Sequence, residues 1–191
     1  LERIALGEVE TRWSGALYGG GFRLEDREGL IREVRALRTR ASPEALFRSF
    51  ASLGGERGWL VWNWAWALRG FLDRLLGGPG LRRGRRHPTE LLPGEAVDFW
   101  RVEAVEPPRL LRLRAEMRLP GRAWLEWEAR EAEGGSLLVQ TAYFEPKGLT
   151  GFLYWWALYP IHRRIFSDLA RAIVREAEAQ AEAPPRGGGA G

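Results

Sequence analysis

At 191 residues, with 45% apolar and 28% charged side chains, the sequence describes one globular domain of ordinary size rather than a disordered or membrane-spanning chain. It has no cysteine, which excludes disulfides, thiolate metal sites and a cysteine nucleophile, and fits a reducing, cytoplasmic compartment. The net charge is +4 and Lys147 is the single lysine among 29 basic residues, but acidic residues are interleaved with the arginines nearly everywhere, which argues against a nucleic-acid partner.

Residues 1–28 are mixed in character, carry Gly19-Gly20-Gly21 as a flexible joint, and hold no apolar run long enough for a signal peptide. Residues 30–39 are rich enough in apolar and β-branched side chains for a strand, although their alternation is poor. Ser42-Pro43-Glu44 then opens a helix, because serine caps it, proline pre-sets the first turn and glutamate suits its positive end. Leu46, Phe47 and Phe50 give that helix an apolar face, and Gly54-Gly55 ends it. A second helix is expected over 62–76, stopped by Gly77-Gly78-Pro79-Gly80, with an arginine-rich connector over 81–90.

Four strands are expected next, over 96–105, 110–119, 123–130 and 136–145. Pro107-Pro108, Pro120-Gly121 and Gly134-Gly135 separate them, and such short joints mean hairpins in an antiparallel meander. In the second, Leu111, Leu113, Ala115 and Met117 oppose Arg112, Arg114, Glu116 and Arg118, so one face is dry and the other wet. Lys147-Gly148 breaks the sheet. A long helix follows over 149–179, with Pro160 expected to bend it. The tail from 181 to 191 is rich in proline and glycine and is expected to be disordered. These elements describe an α+β domain in which a curved antiparallel sheet wraps a long C-terminal helix and leaves a cavity between them.

Several separated blocks resemble the DUF2867 family. They include Gly54-Gly55-Glu56-Arg57-Gly58-Trp59, Asp98-Phe99-Trp100-Arg101-Val102-Glu103, Pro120-Gly121-Arg122-Ala123-Trp124-Leu125 and Phe144-Glu145-Pro146-Lys147-Gly148-Leu149. Tyr154-Trp155 and Tyr159-Pro160-Ile161-His162 continue the match along the last helix. The resemblance covers residues 29–178 and implies a helix-grip fold of the START and Bet v 1-like type. It also implies a neighbour, since the family often follows an NmrA-like, NAD(P)-binding Rossmann domain of short-chain-dehydrogenase type. Residues 1–28 are read as a linker or remnant of that domain, and the chain begins without methionine, as expected of a fragment of something longer. No Gly-x-Gly-x-x-Gly follows a strand, so no cofactor is expected in this chain itself; NAD(P) belongs to an adjoining domain.

Trp59, Trp62, Trp64 and Trp66 crowd together, and helical spacing places Trp59, Trp62 and Trp66 on one face. That face is either core filling, the wall of a ligand pocket, or a membrane-surface element. Asp98 falls, by strict alternation, on the dry face with Trp100, Val102 and Ala104. It is then paired, or at a cavity mouth with a raised pKa, or else capping a turn at the strand entrance. Arg69 and Asp73 read as a surface salt bridge. The apolar run over 148–161 is too short to span a bilayer, so a buried or interfacial helix is expected there. His162 ends that run with no partner fixed by sequence, His87 lies in the connector, and two histidines so far apart make no metal site. Arg82, Arg83, Arg85 and Arg86 form a solvated connector, or a site for a nucleotide phosphate or anionic lipid.

Three readings follow. The first is a module that binds an apolar small molecule in a cavity walled by Trp62, Trp66, Trp100, Met117, Trp127, Phe144 and Trp155, with Asp98, Tyr154 and His162 as polar contacts, serving as the substrate domain of an NAD(P)-dependent oxidoreductase. The second is an enzyme acting alone, a cyclase, hydrolase or isomerase using a carboxylate or histidine. The third is a peripheral membrane or partner-binding protein using the tryptophan helix. Whether Trp59, Trp62 and Trp66 point inward or into solvent discriminates among them.

Overall fold

The computed structural model describes residues 21–27, 29–81, 85–87 and 90–182. Residues 183–191 of the predicted tail and most of the N-terminal segment lie outside these residues, while 181 and 182 belong to the last helix. Among the described residues two strands come first, β1 (Gly21–Arg27) and β2 (Leu30–Thr39), followed by helices α1 (Pro43–Ala51) and α2 (Asn63–Leu75). Five more strands follow: β3 (Ala96–Val97), β4 (Trp100–Glu106), β5 (Leu110–Ala115), β6 (Gly121–Ala132) and β7 (Gly135–Pro146). Helix α3 (Gly148–Glu182) is the last described element and runs unbroken past Pro160.

All strand pairs are antiparallel, in the order β1-β2-β7-β6-β5-β4-β3. Helices α1 and α3 lie on one face of this sheet, as Trp127 against Phe50 and Gln140 Nε2 donating to the Phe166 carbonyl (2.9 Å) attest. The protein therefore has the helix-grip architecture. Ser42 caps α1 as its sequence position dictates, its hydroxyl accepting from Ala45 N at 3.3 Å.

Four local readings differ from expectation. The strand expected over 96–105 is two strands, because Asp98 (φ 54) and Phe99 make a tight turn between β3 and β4. Aspartate tolerates this left-handed conformation better than most residues, so alternation fails there and Asp98 belongs to no strand face. Trp59 precedes α2 instead of sharing a face of it, and Trp62 is its N-cap residue. Residues 21–27, whose alternation is weak, form an edge strand through backbone pairing with β2.

The fourth correction is Asp73. The expected i, i+4 pair with Arg69 is present at 3.8 Å, but Asp73 itself is fully buried, so the pair is not a surface one. Its carboxylate accepts from Arg118 N (2.7 Å) and Gly80 N (2.9 Å), which ties the end of α2 to the chain after β5 and to the glycine loop. A side chain at Gly78 would run into that carboxylate, which is why the loop needs glycine there. Asp73→Asn points an amide donor at one of these backbone donors, and is expected to cost about 2 kcal/mol in urea unfolding.

Candidate functional site

The predicted site residues divide into two groups. Trp66, Asp98, Trp100 and Trp127 are buried in the main core, with Trp62 and Met117 half-buried against it. Trp59 stands at the centre: its ring lies 4.8 Å from Trp66, 6.1 Å from Trp100 and 6.4 Å from both Phe99 and Trp127. Its indole donates to Asp98 Oδ2 at 2.7 Å, while Gly55 N reaches Asp98 Oδ1 at 3.3 Å. Asp98 thus faces protein donors from its turn position. A pocket of about 10 Å³ lined by Trp59, Trp66, Leu81 and Asp98 remains, room for one water molecule at most. Trp59 and Trp66 point inward, and Trp62 is held by Asp168 through its indole at 2.9 Å, so this trio does not form an exposed membrane face.

The second group gathers under the first half of α3. Phe144 of β7 stacks on Trp155 at 5.3 Å, and Ile31 of β2 completes a small separate cluster with Tyr154 and Tyr159 against it. One turn on, His162 lies 6.2 Å from Trp155 and 5.6 Å from Phe166, whose ring is 6.5 Å from Trp66. Phe144, Tyr154, Trp155 and His162 thus lie together, with Trp66 adjoining through Phe166. Trp100 and Trp127 belong to the other cluster, so the residues expected to wall one cavity are divided between two.

Sequence reasoning missed the polar half of this region. Glu33 and Arg35, on the helix-facing side of β2, are both buried and form an ion pair beneath α3. Arg35 also donates to Ser167 Oγ (3.0 Å) and the Arg163 carbonyl (3.1 Å), and its guanidinium lies 5.9 Å from the Phe166 ring. The available signal was the poor alternation itself: Ile31, Glu33 and Arg35 share one face at period two, so charges fall where the core should be.

Burial governs the electrostatics. It pushes the Glu33 carboxyl up, with Arg35 opposing, and the Arg35 guanidinium down, with Glu33 opposing. Burial also raises Tyr154 and Tyr159. His162 is pushed down to about 4, first by burial and then by the Arg69 charge, so its imidazole is neutral at physiological pH. Among the described residues, Glu33 Oε2, Trp66 Nε1, Trp155 Nε1 and His162 Nδ1 are buried without hydrogen-bond partners. Such atoms are uncommon in folded proteins, and four of them fall on this region or its border.

The histidine makes a pH prediction. Its folded pKa lies below the unfolded value, so the unfolded state binds the proton first and stability is lost as pH falls from about 6.5 towards 4. His162→Phe keeps the ring and removes the proton. Between pH 7 and pH 5 it should lose about 1–2 kcal/mol less stability than the native chain, measured by urea unfolding at both pH values. Equal losses would mean that His162 is protonated in the fold.

A surface cleft of about 180 Å³ lies among Arg85, Arg86, His87, Leu91, Glu95 and Ala96. Part of the predicted basic cluster is structural. Arg85 donates to the Leu53 and Ala51 carbonyls, both at 2.9 Å, satisfying the C-terminal end of α1, and Arg86 pairs with Glu95. Arg82 and Arg83 lie outside the described residues. Among those described, no three His, Cys, Asp or Glu side chains group to hold a metal, and no helix is long and apolar enough to cross a membrane.

The model of the family described as "Protein of unknown function (DUF2867)" matches residues 27–169. The chain belongs to the DUF2867 family. No curated protein matches the sequence. Solved structures similar to this DUF2867 chain include the di-domain ARO/CYC StfQ from the steffimycin biosynthetic pathway, at 12% identity and TM-score 0.49, over 81% of this chain and 52% of that one. Others are Ara h 8.0201, at 12% identity and TM-score 0.48 over 79% and 99% of the two chains, and a Rhodobacter sphaeroides protein at 15%, 0.47, 84% and 99%.

Proposed function

We propose that this DUF2867 domain binds an apolar small molecule bearing a hydrogen-bonding group, between the first half of α3 and strands β2 and β7. The observation that carries the reading is the meeting of stacked aromatic rings with buried polar atoms that lack partners, Glu33 Oε2, Trp155 Nε1 and His162 Nδ1. A ligand site needs that combination: apolar walls for affinity and a few fixed polar groups for orientation. Helix α2 covers this region from the side. It is held by Trp66 on Trp59, by Arg69 beside Tyr154 and His162, by the buried Asp73, and by close packing of Gly70 against Leu81.

The neutral His162 and the perturbed Glu33 would then address a carbonyl or hydroxyl of the ligand. Where a Rossmann domain accompanies the chain, hydride chemistry belongs to that domain and its NAD(P), and this one holds the substrate. The test is native mass spectrometry of the purified chain, extraction of any bound molecule, and titration of the stripped protein with the extract and with anilinonaphthalene sulfonate. Binding that falls tenfold or more in both Trp155→Ala and His162→Phe supports the site. Binding that both variants leave unchanged removes it.

A further inference from the structure

Two helix faces lie outside the site and point away from the sheet. On α2, Trp64, Leu68, Phe71 and Leu75 recur at helical spacing and are all exposed, 49–68% of each being open to solvent. On α3, Leu153 and Trp156 are exposed in the same way, at 63% and 55%. The helices adjoin, with Trp62 donating to Asp168 and Trp66 beside Phe166. Apolar surface of this extent on a folded chain calls for an occupant.

Charge selects which one. Over the sheet, arginines are matched by glutamates, as in Arg101–Glu116, Arg112–Glu126 and Arg122–Glu145. The helix faces lack that balance. Between Glu56 and Glu90 the only carboxylate is Asp73, which is buried, and none occurs between Lys147 and Asp168. Exposed cations border the apolar rows instead: Arg74 and Arg118 beside α2, and Lys147 and Arg163 at either end of the apolar part of α3. Exposed tryptophans among aliphatic side chains, rimmed by cations and with Asp168 at the helix junction already paired to Arg164 and Arg171, match the interface of a negatively charged membrane.

We propose that the outer faces of α2 and the first half of α3 dock on an anionic phospholipid bilayer, lying in its interface without crossing it. The docking face is distinct from the ligand site, since Trp64, Leu68, Phe71, Leu75, Leu153 and Trp156 are exposed. The experiment is co-sedimentation of the chain with vesicles of phosphatidylcholine alone and of equal parts phosphatidylcholine and phosphatidylserine, at low and high salt. Binding to the mixed vesicles, weakened by salt and by the neutral lipid, is expected. Phe71→Glu with Trp156→Glu should lower partitioning at least tenfold, and Arg74→Glu with Lys147→Glu by roughly tenfold. All four positions are exposed, and an unchanged near-ultraviolet circular dichroism spectrum verifies that each variant folds. Equal binding to both vesicle types overturns the proposal. So does failure to pellet with either, or a dimer in light scattering that Phe71→Glu dissociates, which would make the face a contact between copies.

Discussion

Trp59→Ala is expected to lower the unfolding free energy by about 4–5 kcal/mol, the largest loss from any single aromatic truncation in this protein. The residue is 1% exposed, sits amid four aromatic rings, and supplies the indole donor to the buried Asp98. Its removal opens a void and takes from a buried carboxylate an indole donor at 2.7 Å. Trp59→Phe separates the two contributions, keeping most of the packing and losing only the donor, for about 1–3 kcal/mol. Urea unfolding of both variants measures them. An alanine cost below about 2 kcal/mol would mean that the neighbouring rings close over the space.

Arg35→Met should come next, at about 3–5 kcal/mol, because it leaves Glu33 buried without its cation. Replacing both members, Glu33→Leu with Arg35→Met, is expected to restore most of that loss, since the desolvation of two charges disappears together. The sign of the pH dependence distinguishes this from lost packing. Glu33 has its folded pKa raised, the more so without Arg35, so its protonated form favours the fold. The single variant should therefore be least impaired below pH 4.5 and lose stability as pH rises through the folded pKa. A double variant as unstable as the single, or a loss independent of pH, would refute the pair's role. If the double variant folds yet no longer binds the extracted ligand, the pair serves the site more than the fold.

The elements that could be read from the sequence were those written in local signals. Ser42-Pro43-Glu44, Pro120-Gly121 and Gly134-Gly135 mark chain boundaries through backbone chemistry that acts within a few residues, and the structure places boundaries there. Phe144, Tyr154, Trp155 and His162 could be gathered because β7 leads directly into α3. What stayed hidden depends on contacts distant in sequence. Asp73 looks like half of an exposed pair until Arg118 N and Gly80 N close on it. Asp98 obeys strand alternation on paper, but turns because Trp59 and Gly55 take its carboxylate from another segment. Glu33 and Arg35 seem to belong outside, and only the descent of α3 onto β2 encloses them.

The strand order has a consequence for how the chain is made. Every pairing in the sheet joins consecutive strands except β2 with β7, where Thr39 meets Ser136. On the ribosome, β1 and β2 emerge early and must wait for β7, roughly 5–20 s at ordinary synthesis rates. Through that interval the inner edge of β2 offers unpaired backbone groups, and its buried charges have no helix above them. The last turns of α3 come later still. Closure of the sheet is thus set by β7 and α3, and the nascent β1–β2 hairpin is the species most in need of a chaperone.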